Sequence, residues 1–161
     1  PEYVELDSKQ RQPVPMSQTP DLLKSLWPDK NLPEMHRTSQ KTDDLGMVHE
    51  VYQQTHQGLT IEGATYRAHS NRNHELQLLT GHFYPTKGLT AKAQLTREQA
   101  LQKALDAVGA DQYKWQIAEE EAWLKKEQEN PEATYFPKGE LLFYPLTEDS
   151  LYLAYKFDIY A

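Results

Sequence analysis

The stretch Gly46–Gly81 limits this chain's folding choices more than any other. Within it, three runs rich in β-branched and aromatic residues (Val48–Thr55, Leu59–Ala68 and Glu75–Thr80) are separated by two turn-forming clusters, His56-Gln57-Gly58 and Ser70-Asn71-Arg72-Asn73. Runs punctuated this closely specify an antiparallel meander, because short turns join only neighbouring strands of opposite direction. Gly58 supplies the positive φ that a tight connection needs. Gly63, inside the second run, marks a bulge or a close backbone approach. Tyr52-Gln53-Gln54 has two readings: amides hydrogen-bonded to neighbouring turns, or a direct contact with a partner.

Beyond the meander the pattern becomes helical. Thr96-Arg97-Glu98-Gln99 fits a capping box, in which the threonine oxygen accepts from the third backbone N–H and the glutamine side chain reaches back. Ala100, Leu101, Ala104, Leu105 and Val108 then form one apolar stripe, and Gly109 stands at the left-handed C-terminal position. Gln112–Ala118, with Trp115 and Ile117, is predicted as a strand. It leads through Glu119-Glu120-Glu121 into an exposed helix around Ala122, Trp123 and Leu124, with Glu121 and Lys125 favourably four apart and Asn130-Pro131 as the stop. Two strands close the chain, Glu140–Tyr144 and Leu151–Tyr160; in the second, Leu151, Leu153, Tyr155, Phe157 and Ile159 alternate with Tyr152, Ala154, Lys156 and Asp158.

Upstream, Pro13, Pro15, Pro20, Pro28 and Pro33 predict a mostly extended arm over residues 1–40, lying along the surface. A short helix near 20–27 interrupts it, with Thr19 as N-cap and Pro20 in the first helical position. Its Leu22, Leu23, Leu26 and Trp27 either anchor in the core or line a groove.

Composition removes several function classes. A formal charge of −7 without clustered Lys and Arg argues against a phosphate-backbone binder, so no nucleic-acid partner is expected. With no cysteine, disulfides, thiolate catalysis and cysteine-based zinc sites are excluded. No run approaches the roughly 20 apolar residues of a membrane span, and the first residues lack a signal peptide's basic and apolar regions. A secreted protein would therefore be numbered from after its leader, and Pro1 fits a trimmed product.

Catalytic constellations start without finishing. A zinc-peptidase helix needs two histidines four apart, yet His49-Glu50 is followed at that position by Gln53 and His74-Glu75 by Leu78. Both fall in predicted strands, where four residues span about 13 Å. His69 and His74 across their turn are the remaining arrangement for adventitious metal. No serine sits in a Gly-x-Ser-x-Gly elbow, the glycines are too scattered to cradle phosphate, and the acidic run lacks the turn glycine of a calcium loop. No catalytic residue, metal ligand or cofactor is expected.

The order His49, Tyr52-Gln53-Gln54-Thr55, Gly58, Ile61-Glu62-Gly63-Ala64 and His69, with Asp43-Asp44-Leu45-Gly46 ahead and Gly81 behind, resembles the fungalysin/thermolysin propeptide (FTP) motif. That motif lies ahead of secreted zinc metallopeptidases of thermolysin type; Val51 stands where many members carry arginine. LTREQALQKALDAVGA followed by LAYKFDIYA is similar to the PepSY module that comes next in such pro-regions. The resemblance implies an α+β fold: an antiparallel FTP meander (41–90) beside a cystatin-like helix-on-antiparallel-sheet PepSY module (91–161), after the arm at 1–40.

It further implies a secreted, non-catalytic pro-region that assists folding of the cognate metallopeptidase catalytic domain and inhibits it, with no membrane contact, and monomeric when isolated. His49, Tyr52, Gln53, Gln54, Gly58, Gly63, His69 and Gly81 are then motif positions, structural or protease-facing. In that family the segment after the last PepSY strand approaches the cleft, so a chain reaching Ala161 is expected to fold by itself and inhibit weakly. The alternative is a free-standing extracytoplasmic PepSY-type regulator acting in trans. A downstream HExxH domain in the reading frame separates the two.

Overall fold

The computed structural model describes residues 3–6, 13–26, 34–147 and 150–161. Three helices and a sheet of several strands among these residues make the protein α+β. Its contacts divide into two units, Pro1–Ala91 with Phe143–Tyr152, and Lys92–Leu142 with Leu153–Ala161.

In the first unit the meander forms as β3 (Val48–His56), β4 (Leu59–Ser70) and β5 (Leu76–Gly81). Gln57 and Gly58 connect β3 to β4 with φ of 51° and 80°, the two-residue geometry whose twist matches the flanking strands. β3 alternates along its length: Val48, Glu50, Tyr52 and Gln54 are buried and the residues between them are partly exposed. Of these, Val48 and Tyr52 meet Tyr66, Ala68, Leu76, Leu79 and Phe83 in one core. Each large apolar side chain removed from water there contributes roughly 1.5–3 kcal/mol.

Much of the expected surface arm is built into this unit instead. β1 (Tyr3–Glu5) pairs with β5, and β2 (Glu34–Thr42) runs antiparallel along β3, giving the order β1-β5-β4-β3-β2. An edge strand is exposed on much of its surface, so the polar sequence of β2 carries little periodic signal. Helix α1 (Thr19–Ser25) also starts differently from expectation. Thr19 is not the N-cap: Gln18 holds that position, and the Thr19 hydroxyl donates to the Met16 carbonyl at 2.7 Å, tying α1 to a 3₁₀ turn at Met16–Gln18. Leu23 is fully buried, with Leu22 and Leu26 packed beside it; Trp27 and Pro28 lie outside the described residues.

In the second unit α2 (Arg97–Val108) has the predicted ends. Gln99 N–H donates to Thr96 Oγ1, Thr96 N–H donates to Gln99 Oε1, and Gly109 closes the helix at φ 62°. Its apolar stripe is only half covered: Ala100, Leu101, Ala104 and Leu105 are partly buried, and Val108 is exposed.

The strand expected over Gln112–Ala118 is a 3₁₀ turn at Lys114–Gln116, followed at once by α3 (Ala118–Glu127). Trp115 and Ile117, two apart, imitate a strand over too short a window. Gln116 Oε1 accepts from Tyr113 N–H at 2.9 Å, and the Tyr113 and Trp115 rings stack at 4.6 Å, which closes the turn. Glu121 does not serve Lys125; its Oε1 accepts from the Thr134 hydroxyl and from Tyr135 N–H.

β6 (Glu140–Thr147) pairs with β7 (Ser150–Lys156), and in the first unit Phe143 joins β4 through a parallel bridge to Ile61. β7 stops short of the predicted Tyr160. The tail is held by other contacts: Phe157 lies over Gly139, where an added Cβ would stand 2.4 Å from the ring, and the Tyr160 carbonyl accepts from Lys114 N–H at 3.0 Å.

Candidate functional site

Gln53 and Gln54 are adjacent on β3 and point to opposite faces, so their amides serve different backbone segments. The buried Gln54 side chain acts as a piece of strand: its Nε2 donates to the Tyr84 carbonyl at 2.8 Å and its Oε1 accepts from Tyr84 N–H at 2.9 Å. Gln53 Nε2 donates to the carbonyls of Gln54, Ile61 and Ala64 at 3.0, 2.8 and 3.0 Å. The latter two lie in an interruption of the β3–β4 ladder. There, a two-residue step on β3 (Gln53 to Thr55) is matched by a five-residue step on β4 (Thr60 to Thr65). Gly63, at φ 73°, makes the bend. The Gln53 amide thus satisfies carbonyls that the bulge takes out of the ladder. At the end of β5, Gly81 stands opposite Tyr66, and a Cβ there would run into the Thr65 carbonyl oxygen.

The register beyond the bulge puts His49 directly opposite His69. Their Nδ1 atoms are 2.7 Å apart, with the rings edge to face, and His49 Nε2 lies 3.1 Å from Asp43 Oδ2. A carboxylate only accepts, so His49 carries its proton on Nε2 and its Nδ1 accepts from His69 Nδ1–H. Asp43 Oδ1 also takes the Leu45 and Met47 N–H groups, which ties the pair to the β2–β3 turn. Donation from Met47 first, then from His49, holds the Asp43 carboxyl below its usual range. Burial first, then the charges of His49 and Arg67, lowers His69.

On the core face, Glu50 is buried and accepts from Arg37 Nη1 and from the Tyr52 hydroxyl, both at 2.6 Å. Burial, reinforced by the Glu50 carboxylate, raises the Tyr52 hydroxyl far above its ordinary value, so it remains a donor at any physiological pH. Met16, Ser17, Pro20 and Met35 complete a surface depression around these three side chains. Buried charges of this kind require partners, and here each acceptor has one.

The second unit presents a different surface. A cleft of about 480 Å³ runs along Thr134–Glu140, with Leu124, Gln128, Lys156, Asp158 and Tyr160 on its walls. Trp123, Phe136 and Tyr160 are 55%, 47% and 49% exposed. Lys114 binds Glu120 at 3.1 Å and sits 5.1 Å over the Tyr135 ring.

All eight motif positions therefore lie on β3, β4, their connection and the end of β5. Among them His49 meets His69; Tyr52 meets Glu50; Gln53 and Gln54 reach backbone; Gly58, Gly63 and Gly81 shape turns, bulge and close approach. His74, at φ 60° in the β4–β5 turn, gives its backbone to Asn71 and Met16. Sequence reading missed Arg37, Asp43 and Glu50 as partners of these residues. The Asp43 signal was present, since an aspartate opening a four-residue turn accepts from its backbone. Arg37 had none, because its strand was not recognised.

Residues 34–83 match the family model of the Fungalysin/Thermolysin Propeptide Motif. The match begins at the first residue of β2 and ends two residues after β5. The motif is that of a propeptide, which is non-catalytic. No curated protein shows significant sequence similarity to the chain.

Proposed function

We propose that this chain is the pro-region of a secreted thermolysin-type metallopeptidase, acting as intramolecular chaperone and inhibitor of the peptidase domain rather than as an enzyme. The observation that carries the reading is the FTP motif over residues 34–83, which covers β2 to β5. The physical basis is linkage. A surface that binds the native-like peptidase domain and not its unfolded forms stabilises the native state by mass action, and the same contact covers the cleft.

Residues 91–161 are read as a PepSY-type module, on the order of α2 followed by the paired β6 and β7. Trp123, Phe136 and Tyr160 are the side chains we assign to the peptidase contact. Aromatic groups left half exposed are the usual anchors of interfaces, and burying each removes on the order of 100 Å² from water.

The test is refolding in trans. The denatured peptidase domain encoded in the same reading frame is diluted with and without this chain, and recovered activity is read. Faster recovery with the chain, lost tenfold in affinity in Trp123→Ser/Phe136→Ser, is expected. Unchanged recovery together with no inhibition of the mature enzyme at micromolar chain would overturn the reading.

A further inference from the structure

We propose that His49 and His69 form a two-histidine chelate for a divalent transition-metal ion, Zn²⁺ being the probe of choice. Two ring nitrogens from neighbouring strands converge here without any other polar group between them, 2.7 Å apart. A tetrahedral Zn²⁺ with bonds of 2.0–2.1 Å holds its nitrogens about 3.3 Å apart. Separating the rings by about 0.6 Å, well within side-chain torsion, and shifting the His69 ring proton from Nδ1 to Nε2, a change of tautomer with no net loss of a proton, converts the hydrogen bond into a chelate of two neutral imidazoles.

Three features favour ion over proton. Asp43 accepts from His49 Nε2–H, the carboxylate–histidine arrangement that fixes a metal ligand's tautomer and raises its basicity. The ladder sets both Cα positions, because His49 and His69 are directly paired and the register continues without a break through Glu50–Ala68 and Val51–Arg67. His49 also keeps about a third of its side chain accessible, which gives an entry path.

Arg67, two residues before His69, and Lys41, opposite His49, add positive charge near the site, and Asp43 offsets part of it. Among the described residues no cluster of three or more His, Cys, Asp or Glu side chains could hold a metal. Water or a partner's side chain therefore completes the coordination, and the ion is exchangeable. Imidazole ligands suit Zn²⁺, Cu²⁺ and Ni²⁺ and reject Ca²⁺ and Mg²⁺. A search for ligand spacing along the chain misses this site, since its ligands come from two strands twenty residues apart. The site is independent of the peptidase reading, and neither result bears on the other.

Zn²⁺ titration of the 161-residue chain, followed by histidine ring ¹H–¹⁵N spectra and by competition with a chromophoric chelator, tests it. His49 and His69 signals should move together and saturate at one equivalent, ahead of His36, His56, His74 and His82. His69→Ala should weaken binding tenfold or more, Asp43→Asn by a smaller factor, and His74→Ala not at all. Ca²⁺ should leave both rings unmoved. Parallel shifts of all six histidines in the unmodified chain, or equal affinity in His69→Ala, would overturn the proposal. A loss confined to His74→Ala would assign the ion to the β4–β5 turn instead and overturn it equally.

Discussion

The two units use their side chains in opposite ways. In the first, apolar residues from β3, β4, β5 and α1 close over one core, and the polar side chains that share those strands are hydrogen-bonded to the unit's own backbone or to each other. In the second, α2 has no fully buried residue, and Trp123, Phe136, Tyr160 and Val108 remain about half in water. The difference teaches where shape is internally fixed and where apolar area is left for something else to cover. Satisfied buried amides have one geometry, whereas an exposed aromatic ring gains stabilisation only when a partner removes it from water.

Substituting one glycine in each unit should expose this contrast most strongly. At Gly81 a new Cβ meets backbone, the Thr65 carbonyl and the Tyr66 Cα, neither of which can move without breaking the β4–β5 ladder. At Gly139 it meets the Phe157 ring, which can swing toward solvent, although φ 72° adds backbone strain. Urea unfolding should therefore show Gly81→Ala losing about 3 kcal/mol or more and Gly139→Ala about 1–2 kcal/mol. Equal losses would remove the distinction.

A smaller effect is expected from Gln54→Leu, which keeps the volume and leaves the Tyr84 N–H and carbonyl without their partner. About 2 kcal/mol should be lost, with amide exchange accelerated at Tyr84 before the rest of β3. Unchanged exchange at Tyr84 would show that water replaces the amide without cost.

Acid should produce the smallest change and place it in one unit. His69 is lowered from 6.5, so as pH falls the unfolded chain takes up this proton first. The stabilisation is complete above 6.5 and is lost as pH falls from there through the folded-state value. Asp43, lowered from 3.8, adds a loss of the same sign only below about pH 4. Between pH 7 and 5 the amides of β3 and β4 should therefore lose protection relative to intrinsic exchange while those of α2 do not. A uniform response in both units would break the comparison.

What could be read from the sequence was local. The Thr96–Gln99 box, the Gly109 stop and the Gln57–Gly58 turn each lie within a few residues of their partners, and their chemistry names the conformation. The contacts that build the candidate sites join residues far apart in the chain: Arg37 to Glu50, His49 to His69, Gln54 to Tyr84. Composition carries no trace of such pairings, since the register between strands decides them. β2 shows the cost of a polar edge, where a nine-residue strand with eight paired residues resembles unstructured chain. Gln112–Ala118 shows the reverse, a window too short for its two apolar residues to distinguish strand from turn.

The excess of residues between Thr60 and Thr65 over Gln53 and Thr55 is an odd number, and parity matters in a pleated chain. Were one of these residues deleted, every later side chain of β4 would be turned through the sheet. Tyr66 and Ala68 would leave the core, and Arg67 and His69 would be driven into it. The length of this stretch is therefore a constraint in its own right, beside the burial of Ile61 and Ala64 and the positive φ of Gly63.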